Sequence, residues 1–217
     1  MTWPLRAQGA FIFPGGPAKN LGVEKNRCMP FQLLSADAIS TVTVGDQQVS
    51  RNGQKFSEIR FSGNQPCFQL SAEALYSPFK AGVYQGTGQE TRVNLDLQIT
   101  DDLFNVISLF DHHFEKELKK LAPKANYHKL IQEPEGDYPA RIRLKVNATG
   151  PMAARLWRPD QTMLGDIRSV NTMGTRVIAI VCFTKAWYMG SQAGVTAELR
   201  HGVIYEADAP DDVFPLA

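Results

Sequence analysis

Arg141, Arg143 and Lys145 occupy alternate positions of one stretch, with Ile142, Leu144 and Val146 between them. In a strand this pattern sends three cations to one face about 7 Å apart, a repeat close to that of phosphates along an extended single strand. The same row suits an edge strand kept soluble by charge. Further along, Phe183, Lys185 and Trp187 alternate onto one face with Tyr188 on the other, and Arg155 shares a face with Trp157. An aromatic plane beside ammonium or guanidinium groups takes a base by stacking while the cations hold phosphate. A core tryptophan is the competing role for Trp157. With Arg200 on the last strand, the candidate nucleic-acid-binding set is Arg141, Arg143, Lys145, Arg155, Trp157, Lys185, Trp187, Tyr188 and Arg200.

No catalytic pattern of comparable strength is present. Gly15, Gly16, Pro17, Ala18, Lys19 and Asn20 faintly resemble a phosphate loop, but the Gly-Lys-Ser/Thr ending is missing and no helical pattern follows. His113 and Glu117 have metal-ligand spacing on a helix without a third ligand nearby, so an exposed helix face is expected there. The carboxylates Asp101 and Asp102 fit the first turn of a helix better than an acid/base pair. The expectation is a protein without catalytic residues, metal or cofactor.

The elements that must carry these residues are mostly strands. Residues 92–99 alternate strictly, with Val93, Leu95, Leu97 and Ile99 on one face. The period then changes: Leu103, Val106, Ile107, Phe110, Phe114, Leu118 and Leu121 recur at helical spacing, Thr100 is placed to cap, and Pro123 follows. A helix over 101–121 is predicted. Strands are expected at 139–147 and 153–158, and a long hairpin at 175–189 and 195–205 around the Gly-containing run 190–194. Upstream, 38–44, 47–50, 56–61 and 67–70 read as an antiparallel meander. Short strands at 10–13 and 31–34 precede it, and a glycine-rich loop at 77–90 carries Lys80 and Tyr84.

The 217 residues, 43% of them hydrophobic, suffice for a core without staples. Cys28, Cys67 and Cys182 lie far apart with no paired motif, so neither zinc nor a disulfide framework is expected, and a reducing, intracellular setting is favoured. The apolar run Phe11, Ile12, Phe13 is too short for a signal peptide, and no stretch approaches the about 20 apolar residues of a membrane span. Net charge is +1, but Glu206, Asp208, Asp211 and Asp212 crowd the end; without those four acids, 23 basic residues face 18 acidic ones, an excess of five. Such a tail suits competition for a polyanion site or docking on a basic partner, and equally a solvated terminus.

Three runs together resemble a known family: Tyr138-Pro139-Ala140-Arg141-Ile142-Arg143-Leu144-Lys145-Val146, then Val177 to Phe183, then Ala186-Trp187-Tyr188 leading to Gly194-Val195. Over residues 92–205 the chain resembles the OB-fold single-stranded-DNA-binding proteins of tailed phages and large DNA viruses. The resemblance implies a mainly-β fold, a β-barrel with one long helix, that binds single-stranded DNA irrespective of sequence in replication, recombination or repair. It places binding on Arg141, Arg143, Lys145, Lys185, Trp187 and Tyr188. It also implies that Asp208, Asp211, Asp212 and Phe214 recruit replication proteins, although the tail ends in Leu-Ala rather than phenylalanine. The expected organisation is one OB-fold-like domain over 1–205, with N-terminal strands and loops to 91 and the barrel core from 92, then an acidic tail over 206–217. No membrane partner is expected, and a homo-oligomer is compatible. The alternative is a protein-interaction or virion structural β-module without nucleic-acid binding.

Overall fold

Ser40 and Thr41 turn their hydroxyls back onto the carbonyls of Asp37 and Ala38, at 2.9 and 2.8 Å. This local bonding winds Ala36–Thr41 into a 3-10 helix where the β-branched run predicts strand. The structure is a computed structural model that describes residues 31–61, 67–83, 86–136 and 138–206. The expected strand at 10–13, the glycine run at 15–20, Cys28, Tyr84 and the tail residues Asp208, Asp211, Asp212 and Phe214 lie outside them.

After the 3-10 helix come β1 (Val42–Val44), β2 (Gln48–Val49), β3 (Lys55–Phe61), β4 (Cys67–Gln69), β5 (Leu75–Tyr76) and β6 (Arg92–Gln98). The helix α1 (Asp101–Leu121) precedes β7 (Asn126–His128), β8 (Ile131–Gln132), β9 (Arg141–Asn147) and β10 (Arg155–Trp157). The hairpin β11 (Arg176–Met189) and β12 (Gln192–Tyr205) ends the described chain. Its turn is tighter than the run 190–194 suggests: Gly190, at φ +59°, and Ser191 alone separate the strands.

Among the described residues the architecture is mainly β with one long helix, as expected, and OB-like in its β-rich make-up. It is a single open mixed sheet ordered β1-β3-β11-β12-β9-β6, with the shorter strands paired along it. β6 and β9 run antiparallel from Arg92↔Asn147 to Gln98↔Arg141, and β9 meets β12 in parallel at Lys145↔Glu198. Further along, β9 and β12 separate, and the gap is filled by β7 against β12 and β8 against β9.

α1 covers the inner face of the sheet. Thr100 caps it by accepting from the Leu103 amide, and Leu103, Ile107, Phe110, Phe114 and Leu118 are buried. The Phe110 and Phe183 rings stack at 5.6 Å, with Phe68 and Phe114 against Phe183 at 6.2 and 5.9 Å. A charged residue interrupts this stripe. Asp111, 5% exposed, accepts from the Tyr127 hydroxyl at 2.7 Å and from the Leu130 and Ile131 amides at 2.8 and 3.3 Å. It thereby ties the turn between β7 and β8 to the helix.

Two further features depart from the sequence reading. The β11–β12 register shifts between Phe183 and Lys185, so Phe183 faces the core while Lys185 and Trp187 face outward and Tyr188 inward. Simple alternation had put Phe183 on the face of Lys185; the extra residue, Thr184, reverses the parity. In addition, Cys67 and Cys182 form a disulfide across the β4–β11 pair, their Cα atoms 4.0 Å apart. The expectation of no disulfide rested on sequence spacing, and the sheet brings the two together over 115 positions.

Candidate nucleic-acid interface

The outward face of the hairpin is built around Trp187. Cross-strand register puts Gly194 of β12 on one side of it and Phe56 of β3 on the other. A Cβ on Gly194 would fall 2.7 Å from the indole Cζ2 and 2.9 Å from Cε2. The indole therefore lies directly against the backbone, held as a flat plate that any larger residue at 194 would lift. Lys185, exposed, holds its ammonium 4.8 Å from the centre of the Phe56 ring. The imidazole of His128, on β7, stands 6.1 Å from the indole at 57°. Two aromatic rings, an imidazole and an ammonium thus share one half-exposed patch.

Across β12 lies the row of cations on β9, on the same face by the register Lys145↔Glu198 and Lys185↔Thr196. The three are not equivalent. Arg143 is gripped by Asp96, its Nε and Nη2 donating to the two carboxylate oxygens at 2.7 and 2.9 Å, so much of the charge it would offer a phosphate is already met. Lys145 donates to the Asn94 side chain at 2.7 Å; burial, and then the nearby Arg92 and Arg143, hold its pKa below the usual lysine value. Arg141 places its guanidinium 5.3 Å from the centres of both the Phe79 and Tyr138 rings.

No family model matches this chain, and no curated protein matches it. Solved structures to which this chain is similar include those of the single-stranded DNA-binding protein from bacteriophage Enc34. In complex with ssDNA it is 11% identical, covering 78% of this chain and 98% of that one at a TM-score of 0.45. Without DNA the figures are 10%, 81%, 96% and 0.45, and for a C-terminal truncation 12%, 77%, 97% and 0.45.

The remaining candidates from the sequence are placed elsewhere or are occupied. Tyr188 is buried on the inner face, its hydroxyl 3.1 Å from that of Ser57, and burial pushes its pKa up; it offers no ring face to solvent. Trp157 is 8% exposed, on β10 beside Val203, and is a packing residue rather than an open plate. Arg200 is held at 3.5 Å by Glu198, itself buried and also accepting from Asn147. Arg155 is exposed and pairs in register with His201, whose pKa is lowered by burial first and then by Arg155 and Arg200. Among the described residues no group of three potential metal ligands occurs. The sequence reading missed Phe56, His128, Phe79 and Tyr138. For Phe56 the available signal was its alternation with Glu58 and Arg60, an aromatic residue on an otherwise polar strand face.

Proposed function

We propose that the outward face of the β3–β11–β12–β9 sheet binds single-stranded DNA without regard to sequence, coating and protecting single strands during replication, recombination or repair. The observation that carries this reading is the Trp187 plate on Gly194, with Lys185 beside it and the β9 cations two strands away. A ring held flat at a surface has its free face available to a base, and every base has such a face, so the contact is indifferent to sequence. In a duplex those faces are already stacked on one another, so the single strand is preferred. Cations at strand spacing neutralise phosphates and release counterions, which makes the affinity fall with salt.

The test is titration of a fluorescent oligo-dT with the wild type, Trp187→Ala and Gly194→Ala. Loss of one stacked base is expected to weaken binding roughly 5- to 150-fold in Trp187→Ala. Gly194→Ala is expected to weaken it in the same direction, because the new methyl group displaces the indole. Wild-type affinity in both variants, with their folds intact, would remove the plate from the interface and favour a protein-interaction module.

A further inference from the structure

We infer that the chain carries a second base-stacking station, formed by Phe79, Tyr138 and Arg141, which takes a nucleobase of the same strand that Trp187 engages; this rests on the function proposed above. Phe79 and Tyr138 have ring centres 5.7 Å apart at 49°, a tilted pair in contact, with the Arg141 guanidinium 5.3 Å from each. Tyr138 is 52% exposed. Its backbone is fixed: the amides of Glu135 and Tyr138 each donate to the other's carbonyl at 3.0 Å, closing a tight turn in which Gly136 takes φ +59°. A large ring held at the surface by its own backbone presents a face without paying for ordering when a base arrives.

Arg141 differs from its neighbours in the row. Arg143 is bound by Asp96 and Lys145 by Asn94, but no carboxylate pairs with Arg141 among the described residues. Its Nε is buried and finds no acceptor there. A half-buried guanidinium that no carboxylate neutralises, beside two rings, suits a base stacked on the rings with its phosphate or carbonyl oxygen on the arginine. A cleft of about 870 Å³ begins at Pro139 and Ala140, which lie between Tyr138 and Arg141 in the chain, and is walled also by Tyr76, Gln98 and Arg176. Glu73 and Asp101 also line it, so the base rather than its phosphate is the part that enters.

The two stations lie at the same level of the sheet. Arg141 and Gly194 are each four residues before the Lys145↔Glu198 pair on parallel strands, and Gly194 is the partner of Trp187. Between them across the sheet stand β12, β7 and β8, with β7 paired to β12 and β8 to β9. A single strand crossing the β-strands meets Trp187, then His128, then Arg141.

The experiment is titration of oligo-dT of about 16 nucleotides, the upper range for one such domain, with Tyr138→Ala, Tyr138→Phe, Trp187→Ala and the Tyr138→Ala/Trp187→Ala double variant. Tyr138→Ala is expected to weaken binding roughly 5- to 150-fold with unchanged thermal stability. Tyr138→Phe should bind like the wild type, and the double variant should show the product of the single losses, as independent sites do. Wild-type affinity in Tyr138→Ala would overturn the second station, and a loss in Trp187→Ala alone would leave the proposed function standing. No binding by the wild type would remove that function and the second station with it.

Discussion

Asp96 determines how much of the β9 cation row is free to act. Its carboxylate, 9% exposed, binds Arg143 through two hydrogen bonds, fixing the guanidinium while cancelling much of its field. Arg143 is held ionised by this contact. Replacing Asp96 by Asn keeps the shape and removes the negative charge. Asp96→Asn is therefore expected to bind oligo-dT more tightly at low salt and to steepen the plot of log affinity against log salt by about 0.7, the increment for one more neutralised phosphate of a single strand. Arg143→Ala should change the slope little, since that charge is already met. An unchanged slope in Asp96→Asn would place Arg143 outside the interface. The cations themselves were legible from alternation, but their inequality was not, because Asn94 and Asp96 meet them only across a strand pair about 50 positions apart in the chain.

At the scale of elements, the interface depends on the β7–β8 turn that fills the gap between β12 and β9 and carries His128, and Asp111 holds that turn. Asp111→Ala leaves two backbone amides without an acceptor, at roughly 1–3 kcal/mol each, so urea unfolding should show a large loss of stability. Asp111→Asn retains an acceptor and should lose less. Burial raises the Asp111 pKa above the usual carboxylate range, while the Leu130, Tyr127 and Ile131 hydrogen bonds pull it part of the way back. A raised folded pKa means that the ionised form is penalised in the fold. Its stabilising contribution is present below the unfolded value of about 3.9 and lost as pH rises through the folded value. The wild type should therefore gain on Asp111→Asn as pH falls from 7 towards 4; a constant difference would contradict the burial of this charge. The disulfide is the other constraint between elements. Closing a loop of this length stabilises by about 5 kcal/mol in the chain-entropy estimate, against about 2–4 kcal/mol for disulfides in general, and thiol reduction should lower the urea midpoint accordingly. An identical midpoint in reduced and oxidised protein would exclude that contribution.

The helix was fully legible, because the 3.6-residue period, the Thr100 cap and the terminal charges all agree. Asp111 was visible as a charge on the apolar stripe, four residues after Ile107 and three before Phe114, which marks a buried partner without naming it. The bulge at Thr184 left no trace in composition, and it alone decides that Trp187 faces outward while Phe183 faces the core. β7 and β8, of three and two residues, are too short for a periodic signal, and their place depends on strands distant in the chain.

For the molecule as a whole, the net charge of +1 conceals a surface on which cations and rings collect on one sheet face while α1 fills the other. Under the proposed function, binding is expected to weaken with salt through its cations and to favour unpaired bases through its rings. The most direct measurement is the affinity of the wild-type protein for a fluorescent oligo-dT across a salt series, beside a mixed-sequence single strand and a duplex of equal length. The expected result is comparable affinity for the two single strands, weaker affinity for the duplex, and a slope near −2 for about three phosphates neutralised. Duplex binding as tight as single-strand binding, or no binding to any of them, would contradict an interface made for single-stranded DNA.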